Sequence, residues 1–66
     1  MNVSINGEIK QLPDGMTLDE LVEYLSLPPR RMAIELNKHV IRKQDWENTK
    51  LDERDTIEIV HFVGGG

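Results

Sequence analysis

Ile57-Glu58-Ile59-Val60-His61-Phe62-Val63-Gly64-Gly65-Gly66 closes the chain, and its reading governs the rest. The β-branched and aromatic residues after Thr56 favour an extended strand, Thr56 to Val63. Alternation places Ile57 and Ile59 on one face, where a helix can cover them. Val60 and Phe62 fall on the other face, beside Thr56 and Glu58, and make an apolar patch there unless neighbouring loops cover it. The glycines that follow add nothing to a core, because glycine has no Cβ and loses much entropy when ordered. That bareness suits a tail that must enter a narrow channel in another protein. Three extended residues reach roughly 10 Å, enough to carry the terminal carboxylate clear of the folded body. Ionised and without a side chain beside it, such a carboxylate can attack a phosphorus atom. A chain end that merely frays would read the same way.

Working outward, the 66 residues are enough for one small domain, which buries about 60% of the surface of its unfolded chain. Hydrophobic residues at 38% and charged residues at 30% fit a folded protein rather than a disordered one. The formal charge of -4 argues against a nucleic-acid binder, which needs a basic stripe, and favours a partner with a basic docking surface. Cysteine is absent, so the chain offers no disulfide, no thiolate nucleophile and no cysteine-ligated metal. No apolar run approaches the roughly 20 residues of a membrane span, and no signal peptide is visible. A cytoplasmic protein is expected.

At the start of the chain, Val3 and Ile5 alternate with polar residues as a half-buried strand. Asn6-Gly7 suits the positive φ angles of a type I′ hairpin. The return strand runs through Glu8 to Leu12, but Ile9 and Leu12 are three apart, so its register stays open. Pro13-Asp14-Gly15 follows as a loop. Thr17-Leu18-Asp19-Glu20 has capping-box spacing, and Leu18, Leu21, Val22 and Leu25 form one helical stripe. Pro28 and Pro29 require that helix to stop by Leu27. Met32, Ile34 and Leu36 alternate as a third strand. Asn37-Lys38-His39 reads as a turn, Val40-Ile41 as a short strand, and the stretch around Trp46 as one helical turn anchored by the indole. Leu51 leads into an acidic turn, Asp52 to Asp55. The class is α+β: one main helix on a mixed sheet of four to five strands, in the order β-β-α-β-β-β.

That order, with a glycine-terminated last strand, looks like the ubiquitin-like β-grasp fold. The chain resembles the ThiS sulfur carriers of thiamine biosynthesis, within the wider ThiS/MoaD group. The resemblance is carried by Ala33-Ile34-Glu35-Leu36-Asn37, by Val40 and Trp46, and by the run from Ile57 to Gly66. It implies a β-grasp domain over 1–63 and a flexible glycine tail over 64–66. It also implies a cycle in which an E1-like adenylating enzyme of the ThiF type uses ATP to join AMP to the Gly66 carboxylate. A sulfur donor protein then converts the acyl-adenylate to a thiocarboxylate at Gly66, which a thiazole synthase of the ThiG type consumes. Gly65 and Gly66 carry over as the functional pair, while Gly64 sits where the family accepts another small residue. Arg54 stands where relatives often place glycine. Cousins that serve molybdopterin synthesis usually have prolines before the glycines, so His61-Phe62-Val63 favours the thiamine branch.

The resulting expectation is a carrier rather than an enzyme, with no catalytic residue, no metal ligands and no bound cofactor of its own. Gly64, Val60, Phe62 and His61 are the expected partner contacts. His39 and His61 lack metal-ligand spacing, and Asp52, Glu53 and Asp55 read as a solvated turn. Arg30 and Arg31 read as an exposed corner or a contact for an acidic partner. A carrier for molybdopterin or another pathway, a ubiquitin-like modifier that forms isopeptide bonds, and a plain interaction module with an idle tail remain alternatives.

Overall fold

A computed structural model describes residues 1–28 and 30–62. Strands β1 (Asn2–Ile5) and β2 (Glu8–Gln11) form the first hairpin, followed by helix α1 (Leu18–Tyr24). Strands β3 (Met32–Leu36) and β4 (His39–Ile41), a 3-10 helix (Lys43–Asn48) and strand β5 (Thr56–His61) complete the described chain. The five strands form one sheet in the order β2-β1-β5-β3-β4. β5 therefore lies in the middle, parallel to β1 and antiparallel to β3. The expected class, element order and strand number hold.

Each turn has a local cause. Asn6 and Gly7 take φ of 50° and 85°, the left-handed pair that matches the twist of a two-residue hairpin. Asn37 and Lys38 do the same between β3 and β4, at 51° and 71°. His39, read from the sequence as part of that turn, is instead the first residue of β4. The broken alternation of β2 is also explained. Ile9 stands opposite Ser4 on the outer face and is exposed, whereas Leu12 lies past the strand end and turns into the core.

The helix is closed at both ends by its own residues. Thr17 Oγ1 accepts from the Glu20 N–H at 3.2 Å, and Glu20 Oε1 accepts from the Thr17 N–H at 2.9 Å. The stop comes before the prolines. Ser26 takes φ of 56°, its N–H donates to the Glu23 carbonyl, and the Leu27 N–H reaches back to Val22. This is a Schellman closure with serine where glycine is usual.

Leu18, Leu21 and Val22 of α1 pack on Val3, Ile5, Ile34, Ile57 and Ile59 of the sheet. The segment around Trp46 is longer than the single turn expected, six residues of 3-10 helix, and the indole is buried as anticipated. Trp46 Nε1–H donates to the Ile41 carbonyl at 2.9 Å, so its polar edge is satisfied. Leu51 is also buried, and its N–H donates to Met16, fastening the loop before β5 to the segment before α1.

Candidate functional site

β5 alternates as the sequence requires. Ile57 and Ile59 are buried against the helix side, while Val60 is 51% and Phe62 57% exposed. Loops do not cover the outer patch among the described residues. Register places Ala33 opposite Val60, Glu35 opposite Glu58, and Val40 opposite Glu35. The outer sheet face thus joins Val40, Val60 and Ala33 to two carboxylates. His61 pairs with Met32 and, by alternation, lies on the other side of the strand from Val60. It is exposed near the strand end.

The last described backbone contact of the strand is the Phe62 N–H, which donates to the Arg31 carbonyl at 2.7 Å. Arg31 has φ of 56°. β5 ends at His61, so Phe62, expected inside the strand, lies just past it; Val63 and the carrier residues Gly64, Gly65 and Gly66 lie outside the described residues.

On the other flank, β5 is fastened by two asparagines that sequence reasoning read only as turn residues. The Ile59 N–H donates to Asn6 Oδ1 at 2.7 Å, and Asn6 Nδ2 donates to the Ile59 carbonyl at 3.2 Å. At the start of the strand, the Thr56 N–H donates to Asn37 Oδ1 at 2.9 Å, and Asn37 Nδ2 donates to Asp55 Oδ1 at 3.0 Å. Nothing in the sequence marks the first contact, since its partners lie 53 residues apart.

The described residues bring together no group of three or more His, Cys, Asp or Glu able to hold a metal. A cleft of about 180 Å³ beside α1 is lined by Asp19, Val22, Glu23 and Leu27, which offer no nucleophile paired with a base. No helix of the described residues is long and apolar enough to cross a membrane. What the described residues offer is an apolar, acidic face on the sheet.

Comparison with known proteins decides the family. The model of the ThiS family matches residues 3–66. The chain belongs to the ThiS family. It is 38% identical over 65 residues to the sulfur carrier protein ThiS of Bacillus subtilis, covering 97% of this chain and 98% of that one. It is similar over its whole length to a thiazole synthase of Magnetococcus marinus, 39% identical, but spans only 20% of that protein. The crystal structure of the thiamine biosynthesis protein ThiS from Geobacter metallireducens superposes with a TM-score of 0.87 at 26% identity, covering 100% of both chains. The ubiquitin-like β-grasp expectation agrees with that superposition.

Proposed function

We propose that this ThiS-family chain is a sulfur carrier of thiamine biosynthesis, and that it works as a co-substrate rather than as an enzyme. The observation that carries the reading is its end-to-end similarity to a sulfur carrier of nearly the same length, with β5 ending two residues before the three terminal glycines in sequence.

The Gly66 carboxylate attacks the α-phosphorus of ATP on an adenylating enzyme, forming an acyl-adenylate and releasing pyrophosphate. Carboxylate oxygen is a poor leaving group until phosphate esterifies it. Sulfide-level sulfur delivered by a donor protein then attacks the acyl carbon, the bond to AMP breaks, and a thiocarboxylate remains, a soft nucleophile that cannot diffuse away. Gly65 and Gly64 carry no side chains to obstruct a narrow partner channel. Lack of cysteine means that no internal thiol intercepts the activated acyl group.

The partner-facing surface is the outer sheet face. Val60 and Phe62 supply apolar area, with Gly64 following them in sequence, and His61 adds an exposed contact from the opposite side of the strand. Glu35 and Glu58 call for a basic counterpart on the adenylating enzyme. Thiazole synthase is the consuming partner, and a thiazole synthase that contains a stretch similar to this whole chain supports that pairing. The cycle belongs to the cytoplasm, where ATP and thiol-derived sulfur are available.

ATP–pyrophosphate exchange with the adenylating enzyme tests the reading. Exchange should depend on the intact chain and disappear when Gly66 is deleted, since the carboxylate then retreats by about 3.5 Å. Full exchange by the shortened chain would refute it. Ladders of heavier conjugates on other proteins would favour the modifier alternative instead.

A further inference from the structure

We infer that Asn6 is a positioning residue for the tail, its side-chain amide setting the direction in which β5 delivers Gly66 to a partner. The inference rests on the reading that the Gly66 carboxylate is the reacting group.

The parallel ladder between β1 and β5 joins Ser4 to Thr56 and Ile5 to Ile57, and the Asn6 N–H still donates to the Ile57 carbonyl at 2.9 Å. There the backbone turns away into the left-handed pair Asn6 and Gly7. The side chain carries the pairing on. Its Oδ1 takes the Ile59 N–H at 2.7 Å and its Nδ2 donates to the Ile59 carbonyl at 3.2 Å, filling both backbone groups of one residue. On the opposite flank, Val60 pairs with Ala33 of β3, and the Arg31 carbonyl takes the Phe62 N–H.

Among the described residues, the amide is thus the last contact on the β1 side of β5 before the tail. Without it, the stretch from Glu58 to His61 would be a two-stranded ribbon with β3 alone, and such ribbons twist more than strands held on both flanks. The docking face lies on this strand, and the tail follows it in sequence. A change of twist alters the angle between them, so a partner docked on Val60 would meet the tail displaced. Misplacing a reacting group by about 1 Å can cost about 100-fold in rate.

Asn37 supplies the control. It has the same residue type and left-handed backbone, and its Oδ1 likewise takes a β5 N–H, but at Thr56, the end remote from the tail, while its Nδ2 donates to Asp55. Asn6→Gly and Asn37→Gly each keep the turn while removing the amide. The full-length variants are compared in ATP–pyrophosphate exchange with the adenylating enzyme, well below their melting temperatures. Asn6→Gly should lower kcat about tenfold with KM changed by less than about twofold, because docking residues are untouched. Asn37→Gly should lower the melting temperature and leave kcat near that of the parent chain. Amide exchange at Ile59 and Val60 should quicken in Asn6→Gly only. Asn6→Asp keeps the Oδ1 contact alone and should fall between, and it replaces Asn6→Gly if that variant does not fold.

Equal kcat in the Asn6 and Asn37 variants, with the parent chain fully active, would overturn the positioning role and leave the carrier reading intact. A parent chain that the enzyme does not activate would overturn both.

Discussion

Glu35 and Glu58 stand directly opposite one another on the outer face of the antiparallel β3–β5 pair. Neither makes a side-chain hydrogen bond or ion pair among the described residues, whose one salt bridge joins the Met1 amine to Asp14. Cross-strand like charges destabilise a sheet, so this face carries an unrelieved repulsion between Val40 and Val60. Conflicts of this kind tend to sit where function requires them. Glu58→Gln should therefore raise stability by about 0.2–1 kcal/mol while weakening association with the adenylating enzyme. Urea unfolding in low and high salt checks the first part, since screening should shrink the gain. A destabilised variant would show that the pair is not in conflict.

Thr17 and Glu20 close the start of a helix only seven residues long. So short a helix has little intrinsic stability and depends on its caps and on packing. Thr17→Ala removes the acceptor for the Glu20 N–H and should cost about 1 kcal/mol. Equilibrium unfolding measures it, and a loss of less than a few tenths would mean that packing alone starts the helix.

Among the left-handed positions that carry residues not favouring them are Ser26 at 56° and Arg54 at 69°. A residue with a Cβ is strained there by about 1–2 kcal/mol, part of which glycine gives back as lost chain entropy. Ser26→Gly and Arg54→Gly should each stabilise the fold by about 0.5–1 kcal/mol. The Arg54 N–H donates to the Asn2 carbonyl at 2.7 Å, and glycine keeps that bond. Thermal unfolding of each variant decides, with a lowered midpoint as the contrary result.

Trp46 is 2% exposed and joins the 3-10 helix to β4 through the Ile41 carbonyl. Trp46→Phe should cost about 2–3 kcal/mol, from the smaller ring and the carbonyl left without its donor. Urea titration measures this, and a loss below about 1 kcal/mol would show that the segment repacks.

What the sequence made legible follows local chemistry. Asn6-Gly7, the Thr17–Glu20 box and the alternation of Met32, Ile34 and Leu36 each act within a few residues, and each element formed where it was expected. The position of β5 between β1 and β3 depends on partners far away in sequence, and no local pattern encodes it. Lys38 and Ser26 adopt backbone angles that their side chains do not advertise, so the β3–β4 turn was read one residue too long and the helix end was bounded only by its prolines. Val60 and Phe62 were readable as outward-facing from alternation alone. That His61 faces the other way follows from the same alternation, although proximity to the tail grouped it with them. Asn6 was legible as a turn residue and not as a clamp, because its second role needs Ile59 beside it.

The central claim is that the end of this chain exchanges oxygen for sulfur. Intact-mass spectrometry of the protein after incubation with the adenylating enzyme, ATP and a sulfur donor measures that exchange directly. The account predicts a mass increase corresponding to one sulfur in place of one oxygen, localised to Gly66 and absent when Gly66 is deleted. An unchanged mass under conditions in which the Bacillus subtilis carrier is converted would contradict it.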